Sequence, residues 1–432
     1  MTYIVVTIQN FIKDRGALFY LGVFWFFITV PALAIMARYD WNYTSLIRFG
    51  HRYIEQNESF TPKGAVRLLG NERFGGNGYD GQIFYYYART LYVPETWPSG
   101  FSNAYRAPRV GYPFLVAPFS IFGNRGVAAG MILVQIAVTS TAIYCLFLLL
   151  PPTRRYLVLL FALSPFLLQS MLFLVSDSIM ISLFIMGWYF FQKKQRSRTL
   201  LALALFSIAV LTKESSLFLL FPLGLWALLR GDTRLAALLL GALVPMAAWQ
   251  FYLFRAHGMV PASILSIFLS PLSGIRGVLA QTLDMFQTRP LPLSDLGRQT
   301  AKLFLIAIIP LGIWASTARL NLSSNFRNLM NTFREPGIPF RGGALLVILS
   351  VLIADFQYFW GIFENVGRMF TALVPAIILA RGYEKSLDRS IVFFGIAVLT
   401  LSALVWLRFI FLTPAFPFDI YQPYTGPHYG LP

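Results

Sequence analysis

Residues 17–37 read ALFYLGVFWFFITVPALAIMA, 21 residues without a single charge. A helix rises about 1.5 Å per residue and the hydrocarbon core of a bilayer is about 30 Å thick, so this run is long enough to cross a membrane. Further apolar runs occupy residues 126–150, 156–175, 177–192, 199–212, 216–229, 235–254, 301–318, 343–361, 366–380 and 390–412. Only 12% of the 432 residues are charged and 57% are hydrophobic, whereas soluble domains carry about 25% charged residues. That balance excludes an ordinary soluble enzyme, a disordered chain and a fibrous one. The expectation is an all-α polytopic membrane protein, a single transmembrane domain over residues 1–432 with eleven helices. Ala32-Leu33-Ala34 resembles a signal-peptide cleavage site, but a signal's apolar stretch is about 7–15 residues and this one is longer, so it reads as a span. The segment Met259–Leu272 is apolar but short, as an interfacial or re-entrant piece would be.

Thirty-five Lys and Arg against eighteen Asp and Glu give a net charge of +17. The basic residues gather in alternate short loops: Arg154-Arg155, Lys193 to Arg198, Arg230 and Arg234, the Arg319–Arg341 loop, and Arg381, Lys385 and Arg389. Positive loops face the cytoplasm, so the N-terminus is expected inside. The long loop at 38–109, a second at 255–299 and the tail at 413–432, rich in Pro and Tyr, are expected outside. The charge thus reads as membrane anchoring, and no nucleic-acid partner is expected. A lone Cys145 excludes a disulfide framework and a cysteine-ligated zinc or iron–sulfur site, and three scattered histidines offer no metal cluster.

Within the first outer loop, Leu46, Phe49, Tyr53 and Ile54 share one face of a helix over Thr44–Asn57. Phe84, Tyr87, Ala88 and Leu91 do so after Asp80. Their tyrosines suit the headgroup layer, so both are expected as short interfacial helices. Between them, Gly76, Gly78 and Gly81 match G-x-G-x-x-G, but no strand-helix unit surrounds them, and a tight turn with positive φ is the better reading. Asp80 has two readings that can coexist: an N-cap on the following helix, or a general base at the membrane surface.

Helix lengths add a second line of argument. From Arg198 to Lys213 a helix spans roughly 22 Å, from Glu214 to Arg230 roughly 24 Å, and from Arg368 to Arg381 roughly 20 Å. With the arginines at the inner surface, Lys213, Glu214 and Arg368 stop short of the outer one, where charge must be paired or wet. Asn365 and Arg368 share a helix face, and Asp177 and Glu364 fall at outer turns. Each has a structural alternative: a neutralising Lys213–Glu214 pair, or a cap or headgroup contact for Asn365 and Arg368. Together they indicate an outward-facing polar cavity. Asp355 is expected inside a span, facing other helices, and Cys145 in packing.

Gly78-Tyr79-Asp80-Gly81-Gln82, followed by Phe84-Tyr85-Tyr86, resembles the YDGQ-x-FY signature of bacterial GT-C-type membrane glycosyltransferases. Leu174 to Asp177, Leu211 to Glu214 and Glu364 to Arg368 are similar to further short motifs there, in the same order. The resemblance covers Ala17 to about Ala380. It implies a GT-C-like bundle in the bacterial inner membrane that moves a sugar from a polyprenyl-phosphate-linked donor to a hydroxyl acceptor on the non-cytoplasmic face, in cell-surface glycan or glycolipid synthesis. It carries the catalytic acid onto Asp80. Where many relatives have a paired acid, the motif here has a lone Asp80 flanked by Tyr79 and Gly81, and Ile83 stands where Phe is commoner. No cofactor is expected, and divalent-metal use stays open. A carboxylate can take the acceptor's proton, and Lys213, Arg368, Arg106 and Arg109 are candidates to neutralise the departing phosphate. Tyr79, Gln82, Asp177, Glu214, Glu364 and Asn365 are the supporting polar residues. A transporter or lipid flippase is the rival reading; it calls for midplane polar sites in repeated broken helices. A non-catalytic assembly partner is the third.

Overall fold

The computed structural model describes residues 15–69, 76–93, 96–260, 271–287, 293–318, 320, 334–384, 388–411 and 421–426. The chain enters through α1 (Ala17–Ala37), forms a 3-10 turn at Tyr43–Leu46, and continues through β1 (Phe49–Gly50), α2 (His51–Gln56) and β2 (Val66–Leu68). Then come α3 (Gly81–Thr90), α4 (Asn103–Arg106), α5 (Gly111–Val116) and α6 (Gly123–Leu149). The bundle continues with α7 (Val158–Ala162), α8 (Pro165–Leu172), α9 (Asp177–Gln192), α10 (Arg196–Thr212), α11 (Leu217–Arg230) and α12 (Thr233–His257). It is completed by α13 (Ser273–Gln287), α14 (Leu293–Thr317), α15 (Ile338–Leu352), α16 (Phe363–Met369), α17 (Leu373–Gly382), α18 (Arg389–Phe411) and β3 (Tyr421–Pro423).

The chain is a multi-pass, helical membrane protein, but its helices are less uniform than the expected eleven spans. Among the described residues, six helical stretches are long and apolar enough to cross a bilayer. They become seven if Pro152–Ala162 and Pro165–Leu172, bent by 47°, form one span. The helices α9, α10, α11 and α15 occur where expected but have only 14 to 17 residues. Polar turns at Ser176-Asp177 and Lys213-Glu214 end three of them early. Large apolar side chains such as Phe26, Phe221, Leu240 and Phe251 point outward, as lipid-facing helices require. Inter-helix locks include Trp406 Nε1 on the Phe27 carbonyl at 3.0 Å and Trp25 Nε1 on Ser140 Oγ at 2.9 Å.

Several expectations are corrected. The predicted helix over Thr44–Asn57 is broken, because Arg48 adopts φ +60° and Phe49–Gly50 pairs with β2. The helix after Asp80 exists, but Tyr85 and Tyr86 are fully buried. Tyr85 donates to the carbonyls of Phe60 and Asn124. These tyrosines are core, not headgroup anchors. Asp355 lies beyond the end of α15, half-buried, accepting from the amides of Gln357 and Tyr358. Among the described residues of 255–299, α12 runs to His257, α13 occupies Ser273–Gln287 and α14 begins at Leu293. Most of Met259–Leu272, the glycine at 75 and most of the tail lie outside the described residues. Arg341 and Arg381 are not free topology markers: they are buried and bond the last carbonyls of the α14 region, Ser316 and Ala318.

The three strands form one small sheet in the order β1-β2-β3, with β3 antiparallel to β2. Tyr424 and Gly64 extend this pairing through Gly64 N–H to the Tyr424 carbonyl at 2.7 Å. The tail strand therefore lies on the same side of the bundle as the first long loop.

Candidate functional site

The motif turn is assembled by backbone. Gly76 and Gly78 both adopt φ +63°, as the tight-turn reading requires. Gly81 is needed for space instead: a Cβ there would lie 2.5 Å from the Phe173 carbonyl oxygen. Gln82 staples the turn to the sheet. Its Oε1 accepts the Gly50 N–H at 2.9 Å and its Nε2 donates to the Asn77 carbonyl at 2.6 Å. The Tyr79 N–H donates to the Arg48 carbonyl at 3.0 Å. Arg48 and Leu174 hold left-handed conformations at φ +60° and +48°, and such strain is retained only where the surroundings enforce it.

Asp80 is not a side-chain cap. Its backbone is helical, at φ −59° and ψ −23°, and its carboxylate accepts no amide of α3. It meets two arginines instead: Arg368 reaches Oδ2 at 2.9 Å and Arg106 reaches Oδ1 at 3.5 Å. Burial pushes this carboxyl up, but Arg106 and Arg368, with Arg109 beyond, outweigh it and hold Asp80 well below the usual carboxylate range. Tyr79 donates to Asn365 Oδ1 at 2.9 Å, and Arg368 shares that oxygen at 3.3 Å while stacking over the Tyr79 ring. Burial pushes the Tyr79 hydroxyl far above its ordinary value; Arg368 opposes this, while Asp80, Glu364 and Asp177 reinforce it.

The other charges pair differently from the sequence expectation. Lys213 and Glu214 do not neutralise each other. Lys213 pairs with buried Asp177, while Arg109 donates to both carboxylate oxygens of Glu214, from Nε to Oε2 at 2.9 Å and from Nη2 to Oε1. Arg109 and Arg106 flank the Tyr105 ring at 4.3 and 4.8 Å. Lys213 and Arg368 take separate partners, Asp177 and Asp80. Glu364 is buried against Arg408 at 2.7 Å, a structural pair. Arg408 was legible as a lone charge inside an apolar helix; nothing local marked Tyr105.

A cavity of about 490 Å³ opens beside Asp80, walled by Tyr79, Gln82, Tyr105, Arg106, Asn365 and the Gly76–Gly78 turn. That volume is within the usual range for small-molecule sites. Among the described residues the cation on its wall is Arg106; Arg368 approaches Asp80 from off the wall, and Lys213 does not line it. A second cavity of about 690 Å³, mostly apolar, is bounded by Tyr87, Trp97, Phe114, Leu211, Trp249 and Tyr252. A cluster of Ile83, Tyr87, Ala107 and Leu253 packs between the two. Among the described residues, no three His, Cys, Asp or Glu side chains group as metal ligands.

No family model and no curated protein sequence matches this chain. Among solved structures it is similar to ArnT from Cupriavidus metallidurans, crystallised with undecaprenyl phosphate, at 14% identity and a TM-score of 0.33. The match covers 76% of this chain and 72% of that one.

Proposed function

We propose that this protein is a GT-C-type membrane glycosyltransferase that moves a sugar from a polyprenyl-phosphate-linked donor to a hydroxyl acceptor, with Asp80 as the general base. The observation that carries the reading is a carboxylate on a cavity wall, gripped by two arginines, at the turn whose sequence resembles the family signature. The acceptor hydroxyl gives its proton to Asp80 as its oxygen bonds to the anomeric carbon. The bond from that carbon to the phosphate oxygen breaks, and the polyprenyl phosphate leaves with the electron pair. Arg106, on the cavity wall, meets the charge that develops, while Arg368 holds Asp80 from behind. Arg109 and Lys213 are neutralised by Glu214 and Asp177, and Arg109 supports the site by stacking on Tyr105 beside Arg106. The apolar cavity beyond Ile83 and Tyr87 suits a lipid chain. The site faces the non-cytoplasmic side in this reading, following the positive-inside bias.

Asp80→Asn tests it. Asn keeps the shape of the side chain but cannot take the proton, so turnover should fall roughly 10²–10⁴-fold while the protein stays folded. Wild-type turnover in a folded variant would sink the assignment of Asp80.

A further inference from the structure

The two grips on Asp80 are unequal. Arg368 holds Oδ2 at 2.9 Å from a side chain only 11% exposed, braced by Asn365 and the Tyr79 ring. Arg106 touches Oδ1 at 3.5 Å, beyond the usual range for a good hydrogen bond. Its side chain is 23% exposed and lies on the cavity wall, supported by the face of Tyr105. An anion entering the cavity meets Arg106 before Arg368, and it meets the looser of the two.

The reaction proposed above moves negative charge along this line. Before it, Asp80 is an anion and the donor phosphate, a diester, carries one negative charge. Afterwards Asp80 is neutral, holding the acceptor's proton, and the phosphate is a monoester of about two negative charges near neutral pH. A guanidinium fork can serve either partner, and phosphate binds it more strongly as its charge grows.

We propose that Arg106 is shared between Asp80 Oδ1 and the donor phosphate, and passes to the phosphate as negative charge leaves Asp80. The proton arrives on Oδ1, the oxygen that Arg106 vacates, while Arg368 keeps Oδ2 and the carboxylate's orientation. Arg106 thereby stabilises the departing phosphate and uncovers the base in one movement. In the resting site Asp80 competes with phosphate for this arginine, so a group essential for turnover weakens binding of the product. This rests on the glycosyl-transfer reading, and the test separates the two.

The measurement is binding of a radiolabelled polyprenyl monophosphate to the purified full-length protein in detergent. Asp80→Asn should bind it tighter than wild type, roughly fivefold or more. Arg106→Gln should bind it more weakly, and in the Arg106→Gln background Asp80→Asn should add no gain, because the contested cation is gone. Asp80→Ala should show the same sign as Asp80→Asn. Unchanged or weaker binding by Asp80→Asn, or an undiminished gain without Arg106, overturns the exchange. An Asp80→Asn variant that is inactive but binds no tighter rejects the exchange alone, whereas one that turns over normally rejects the base assignment itself.

Discussion

Gly50→Ala should disable the site without touching any charged residue. Gly50 has φ −86°, a conformation any residue adopts, so the requirement is space alone. A Cβ there would lie 2.3 Å from the Asn77 carbonyl carbon, 2.3 Å from the Gly76 oxygen and 2.4 Å from the Gly78 nitrogen. All three are backbone atoms of the motif turn, and ordinary contact begins at 3.4 Å. Either β1 or the turn must therefore retreat by about 1 Å, which breaks the geometry Gln82 maintains between the Gly50 amide and the Asn77 carbonyl. Overpacking of this kind costs about 1–3 kcal/mol, and a 1 Å displacement of a catalytic group can lower turnover about 10²-fold. The assay is sugar transfer from a polyprenyl-phosphate donor by purified protein, with melting temperature measured in parallel. Gly22→Ala is the control, since nothing lies within 4 Å of a Cβ at that lipid-side position of α1. A Gly50→Ala protein with wild-type turnover and melting temperature would refute the claim that this close approach sets the position of Asp80.

Three further outcomes are expected. Glu364→Gln leaves Arg408 buried without its counter-charge, so stability should fall by roughly 3–5 kcal/mol; an unchanged melting temperature in detergent would contradict the pairing. Burial pushes Glu214 up, but Arg109 outweighs it and lowers the carboxyl from 4.5 to about 2. A depressed carboxyl stabilises the fold above its unfolded value and loses that contribution as pH falls through the folded one. The melting-temperature gap between wild type and Glu214→Gln should thus be flat from neutral pH to about 5 and close only in stronger acid; a gap closing near pH 6 would count against the Arg109 pair. Finally, Arg67→Cys with Gln422→Cys should form a disulfide spontaneously, because these residues are in register between β2 and β3 and the natural Cys145 is buried. Failure to cross-link under oxidation would separate the tail from the first loop.

Much of this molecule is decided by short-range chemistry. Hydropathy fixes where the helices run, because an apolar stretch in lipid must satisfy its own backbone. The positive φ of Gly76 and Gly78 and the early ends of α9, α10 and α11 follow from local residue types, so these were legible along the chain. What periodicity could not give is the partner of each charge. Asp80 meets Arg368 across 288 positions, Glu214 meets Arg109 across 105, and Lys213 turns from its neighbour Glu214 to Asp177, 36 positions away. Each pairing is chosen by which helix ends the bundle brings together, and desolvation makes that choice costly to leave unmet. The same holds for α3, whose tyrosines have an interfacial composition yet are enclosed by residues near 60 and 124. The sequence alone determined a membrane bundle with a glycine turn and a lone acid. Tertiary packing decided that the acid is clamped rather than capping, because an ionised carboxylate withdrawn from water takes the strongest donors that the fold places within reach.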